Sequence, residues 1–123
     1  MLYPSRKTNA CGADAISGRV VGADGSLYKC WSDIGIADRC VGNINENDEI
    51  LNKAYLNYLS FDPTKDEMCS SCKLLPICMG GCPFMRLEGK NTCSIYKYKL
   101  ENYLSQIAKT AKKQKDEAEE KAS

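Results

Sequence analysis

Apolar and polar residues are arranged differently in successive parts of this chain, and each arrangement predicts a different element. Residues 1–10, "MLYPSRKTNA", are polar and irregular and read as an incoming linker. "AISGRVVGADGSLYKCW" then carries two β-prone runs, about Ile16 to Val21 and Leu27 to Trp31, flanking Asp24-Gly25. Asp-Gly between such runs signals a hairpin, because glycine accepts the positive φ that the turn demands. Farther on, Ile50, Leu51, Ala54, Tyr55, Tyr58 and Leu59 recur at helical spacing and share one face. Asn45 or Asn47 can cap this segment, Asp48 and Glu49 suit its first turn, and Asp62-Pro63 ends it, so a helix is predicted over 47–60. Residues 64–93 hold closely spaced cysteines with Gly80, Gly81 and Gly89, and predict loops and short turns wrapped around whatever the thiols bind. Tyr96, Leu100, Tyr103, Leu104, Ile107, Ala108 and Ala111 then fall on one face of a helix predicted over 94–112. The remainder, 113–123, is charged with no apolar face and reads as a fraying helix end or a disordered tail.

These elements predict a small α+β fold dominated by bound metal: an N-terminal β-hairpin, a middle helix, cysteine-rich loops and a C-terminal helix. The 123 residues suffice for one small domain, and eight cysteines with no histidine point to a fold held by crosslinks or metals more than by a large core. The net charge of +1, from 17 basic and 16 acidic side chains, gives no electrostatic case for nucleic acid or an anionic membrane. No stretch approaches the roughly 20 apolar residues of a membrane span. The first residues lack the apolar core of a secretion signal, which favours a reducing cytoplasm, where cysteine clusters mean metal or redox chemistry.

Three readings of the thiols compete. Disulfides suit an even count but need an oxidising compartment. Zinc sites are commonly built from paired Cys-x2-Cys knuckles, and only Cys69 and Cys72 have that spacing. Iron–sulfur cubanes spread four thiolates around a bulky inorganic core and so tolerate wider spacings. Two-cluster bacterial ferredoxins close their cysteine run with Cys-x3-Cys-Pro, where the last cysteine serves the other cluster. Cys78-x3-Cys82-Pro83 has the same rhythm, and Gly80-Gly81 would let the chain turn sharply between the two thiols. Cys82 can then point away from Cys69, Cys72 and Cys78.

Taken together, Cys11-x13-Gly25-x4-Cys30, then Cys69-x2-Cys72-x5-Cys78-x3-Cys82, then Cys93, resemble the SPASM domain, the C-terminal auxiliary-cluster domain of radical SAM enzymes. Seven cysteines and one glycine fall at the family's spacings, and "GNI" at 42–44 before an amphipathic helix is also typical. The match covers residues 11–93, leaving 94–112 as a packing helix. The resemblance implies two auxiliary [4Fe-4S] clusters, one on Cys11, Cys30 and Cys82, the other on Cys69, Cys72, Cys78 and Cys93. Cys40 lies outside the family pattern. It is either a further ligand of the first cluster or a buried small side chain; that cluster's remaining position is otherwise open or filled by solvent or another donor. Gly25 shapes the turn that brings Cys30 to its cluster. Gly80-Gly81 backbone N–H groups, and the hydroxyls of Tyr96 and Tyr98, are candidate donors to cluster sulfurs, with packing as the alternative for the tyrosines.

Radical SAM enzymes hold their S-adenosylmethionine-reducing cluster with Cys-x3-Cys-x2-Cys, and here the third position after Cys78 and Cys82 is Met85. A complete (β/α)8 barrel needs at least ~200 residues. The chain is therefore expected to be the C-terminal part of a larger oxidoreductase, not catalytic alone, with S-adenosylmethionine confined to the barrel. Its implied partners are that barrel and a peptide or protein substrate. Its implied role is electron transfer or substrate positioning in peptide maturation, in the cytoplasm of an anaerobic bacterium. A zinc-stabilised interaction module and a free-standing two-cluster electron carrier are the alternatives.

Overall fold

The computed structural model describes residues 4–122, and it is a small α+β fold. A three-stranded antiparallel sheet has the order β1 (Val20–Val21), β2 (Ser26–Tyr28), β3 (Gly42–Asn43). Gly25 has φ +85°, and the Asp24 carboxylate accepts the Ser26 N–H at 3.1 Å, so the predicted hairpin forms at Asp24-Gly25. Its strands are shorter than expected. Residues before Val20 leave the ladder because their carbonyls are taken by side chains: Arg19 Nη1 donates to Ile16 O at 2.7 Å, and Lys29 Nζ to Ala15 O at 2.6 Å. The "GNI" segment supplies the third strand, with Leu27 opposite Gly42 and the Ile44 N–H donating to Gly25 O at 2.8 Å.

The middle helix is α1 (Lys53–Leu59), a shorter element than the predicted 47–60. Asn52, rather than Asn45 or Asn47, is its cap: the side-chain oxygen accepts the Tyr55 N–H at 3.0 Å while Nδ2 donates to Cys40 O at 2.6 Å. Ile50 N–H is bonded to Val41 O at 2.9 Å, which holds the incoming chain beside the sheet and out of the helix. Ile50 and Leu51 are consequently exposed, and Tyr55 and Tyr58 carry the buried face.

The cysteine-rich region contains more regular structure than predicted. After a 3-10 turn at Pro63–Lys65 come α2 (Glu67–Ser70), α3 (Leu75–Cys78) and α4 (Pro83–Leu87). Asp66 caps α2 by accepting the Cys69 N–H, and the prolines at positions 76 and 83 stand in first turns, where their missing N–H costs nothing. Of the segment read as a linker, residues 1–3 lie outside the described residues; residues 4–10 are irregular and dock on this region through Lys7 N–H and Pro76 O at 2.8 Å.

The last element, α5 (Tyr96–Ala122), is broken by a non-helical Lys99 and runs through the segment read as a charged tail. Residues 112–122 are rich in Lys, Glu, Ala and Gln, all strong helix formers, so propensity carries the helix without an apolar face. Of its predicted packing face only Ile107 is buried; Tyr96, Leu100 and Tyr103 are half-buried and Leu104 is exposed.

Candidate metal centre

Four cysteines from successive short elements meet at one cavity. Cys69 lies in α2, Cys72 in the turn after it, Cys78 at the end of α3, and Cys93 in the segment leading to α5; all four line the same cavity, together with Met68, Leu74 and Leu75 and with the polar Arg86, Thr92 and Lys97. Among the described residues, no three Cys, Asp or Glu side chains converge as they would on a single metal ion.

Cys82 does not line that cavity, although it is nearer in sequence to Cys78 than Cys93 is. The cause is a left-handed turn. Met79, Gly80 and Gly81 have φ of 52°, 86° and 81° in succession, and this run carries the chain away before Pro83 starts α4. A Cβ on Gly81 would sit 1.9 Å from Thr92 O, so that close approach requires glycine. Thr92 Oγ1 in turn accepts the Cys82 N–H at 3.2 Å, which fixes Cys82 as the exposed residue preceding α4.

Positive side chains reach two of the four thiols. Arg86 Nη2 donates to Cys69 Sγ, while its Nε donates to Gly80 O at 2.8 Å and its Nη1 pairs with Asp66 at 3.3 Å. Burial pushes the Cys69 thiol up from its ordinary pKa, and the Arg86 charge opposes that shift. Lys97 Nζ lies 3.5 Å from Cys93 Sγ, and that contact raises the Lys97 pKa. Tyr96 packs edge-on against Tyr103 with ring centroids 5.0 Å apart, Tyr98 is exposed, and neither lines the cavity.

Cys11 and Cys30 line a second, open cavity with Arg19, Lys29 and Trp31. Its floor is built by charge. Lys29 is 2% exposed, donates to Ala15 O and Gly18 O, and lies 5.3 Å from the centre of the Tyr55 ring. Burial lowers its pKa. Arg19 makes a two-pronged pair with Glu49 at 2.8 and 2.7 Å and donates to Tyr55 Oη at 2.8 Å. Cys82 does not line this cavity either. The segments that carry Cys30 and Cys82 are nonetheless tied: Arg39 pairs with Asp33, three residues after Cys30, and with Glu88, at the end of the helix that Cys82 precedes.

Cys40 stands apart from both cavities. Its thiol donates to Gly42 O at 3.2 Å, so the half-buried side chain is used locally, at the start of β3. Arg86, Lys97, Lys29 and Arg39 were not singled out from the sequence. The one usable signal was position: Lys97 follows Cys93 by about one helical turn.

No protein-family model, curated protein or solved structure matches this chain.

Proposed function

We propose that this chain is an auxiliary iron–sulfur module, binding two [4Fe-4S] clusters for a radical SAM oxidoreductase whose barrel lies elsewhere in a longer protein. Cys69, Cys72, Cys78 and Cys93 would hold one cluster; Cys11, Cys30 and Cys82 would hold the other. The observation that carries the reading is the shared cavity of the first set, from which Cys82 is left out. An all-thiolate set with cations on two of its sulfurs suits a soft, polynuclear, negatively charged iron site.

When bound, such clusters supply one-electron acceptance or donation. The residues of this chain have other tasks. The Met79–Gly81 turn separates Cys82 from its neighbours in sequence. Asp66 and Arg86 fix Cys69 by its N–H and its sulfur. Arg19, Lys29 and Glu49 hold the loop before β1 against the sheet, so that Cys11 and Cys30 face one opening. The open cavity and the exposed Trp31 at its edge offer a surface to the barrel or to a peptide substrate, and peptide maturation in an anaerobic cytoplasm is the setting in which an oxygen-sensitive centre of this kind survives.

Anaerobic reconstitution with iron and sulfide tests the proposal. It requires about eight irons per chain and matching inorganic sulfide. One or two zinc ions without sulfide would instead establish a zinc-stabilised interaction module. Two clusters in a protein that lacks a barrel altogether would make it a free-standing electron carrier.

A further inference from the structure

Arg86 is placed unlike a surface arginine. Only 12% of its side chain is exposed, and all three of its donor nitrogens are engaged, on Gly80 O, the Asp66 carboxylate and Cys69 Sγ. Guanidinium stays protonated at any physiological pH, so a full positive charge is fixed against the cavity wall. Asp66 offsets it only in part: that carboxylate is 43% exposed, 3.3 Å away, and also accepts the Cys69 N–H at 3.1 Å. The remaining direction of the fork is toward sulfur.

A cluster held by four thiolates is negatively charged and gains a further negative charge on reduction. A fixed cation and an N–H donor on one of its sulfurs both favour the reduced form. We infer that Arg86 sets the reduction potential of the Cys69–Cys72–Cys78–Cys93 centre, holding it above the value that the thiolates alone would give. This rests on the function proposed above. Lys97 acts on the same centre from the Cys93 side, but it is exposed, so water and salt screen it. Arg86 is a positioning and tuning residue rather than a ligand: it touches the Cys69 sulfur and leaves the thiolate count unchanged.

The test is an anaerobic potentiometric titration of the reconstituted full chain, followed by EPR of the reduced clusters. The affected signal is identified as the one lost in Cys93→Ser. Arg86→Gln keeps a polar side chain without charge, and Arg86→Lys keeps the charge without the fork. The expected result is a more negative midpoint in Arg86→Gln, a smaller shift in Arg86→Lys, and a small shift in Lys97→Met that fades as salt is added. Unchanged midpoints at full iron content overturn the inference and leave the cluster assignment standing. Absence of iron and sulfide in the unsubstituted protein overturns both. If Arg86→Gln does not retain iron, 15N-arginine labelling decides the matter. Coupling of 15N to the reduced Cys93-dependent cluster is required, and its absence overturns the inference.

Discussion

The Asp33 carboxylate, completely buried, accepts a hydrogen bond from the Tyr58 hydroxyl at 2.9 Å. Its other oxygen pairs with Arg39 Nη1 at 2.6 Å. Two residues distant in sequence thus lock the turn after Cys30 to helix α1, and Arg39 extends the lock to Glu88 beyond α4. A buried carboxylate is tolerated only while its lone pairs are satisfied.

Tyr58→Phe removes one of those partners and leaves the ring packing intact. It should cost about 2 kcal/mol, the range for a hydrogen bond to a charged group. Arg39→Ala strips the charge partner from Asp33 and should cost ~3 kcal/mol, the low end for breaking a buried pair, since Arg39 is partly exposed. Anaerobic urea denaturation of cluster-loaded protein measures both. Equal small losses would mean that the network is not what joins the Cys30 and Cys82 segments.

Glu49 gives a pH dependence with a definite sign. Its hydrogen bonds from Arg19 hold its pKa below the ordinary 4.5. A carboxylate whose folded pKa is depressed binds fewer protons folded than unfolded just below that ordinary value. The stability it adds is therefore complete above about pH 4.5 and is lost as pH falls through the folded pKa. The difference in stability between wild type and Glu49→Gln should be flat from neutrality down to that point and shrink below it. Glu49 is well exposed, so the effect should be small and weaker in salt. A difference that grows on acidification would reverse the assignment.

Gly81 and Gly89 form a matched pair of tests. Both have positive φ, 81° and 75°, so alanine at either carries the left-handed penalty of ~1–3 kcal/mol. Only Gly81 has a backbone carbonyl where the new Cβ must go; around Gly89 the space is open. Gly81→Ala should lower thermal stability well beyond Gly89→Ala and release Cys82 from its position before α4. Comparable melting temperatures would show that the strap relaxes without cost.

The hairpin and the turn at Gly80-Gly81 were legible because each is a local demand written into adjacent residues. Asp-Gly sets one turn and Gly-Gly the other. The start of α1 was not legible, because Ile50 and Leu51 continue the helical spacing while a tertiary bond from Ile50 N–H to Val41 O draws the backbone away. The end of α5 was missed for the opposite reason: intrinsic propensity alone extends it where no apolar face marks it. Lys97 could be placed by its one-turn spacing after Cys93, but Arg86 at that centre and Lys29 at the other cavity could not, because Arg86 meets Cys69 and Lys29 meets Ala15 across folds of the chain that spacing does not encode.

Cys82 is the residue on which the proposed two-cluster arrangement turns. It is exposed, it precedes α4, and it lies outside the cavity shared by Cys69, Cys72, Cys78 and Cys93. Serine there changes one sulfur to oxygen at almost constant size, so the Met79–Gly81 turn and the Thr92 contact to the Cys82 N–H persist. If Cys82 belongs with Cys11 and Cys30, Cys82→Ser should lower iron from about eight to about four per chain and remove one of two reduced-cluster EPR signals. The surviving signal should then be the one that Cys93→Ser abolishes. Because cluster binding and folding share their free energy, the loss should also loosen the loop around Cys11 more than α2 and α3. Hydrogen exchange at Ala13 and Asp14, compared with Ser70 and Cys78, reads that difference directly. Cys82→Ser that instead removes the Cys93-dependent signal would reassign the thiol to the neighbours it follows in sequence, and the left-handed turn would then have to reverse in the loaded protein.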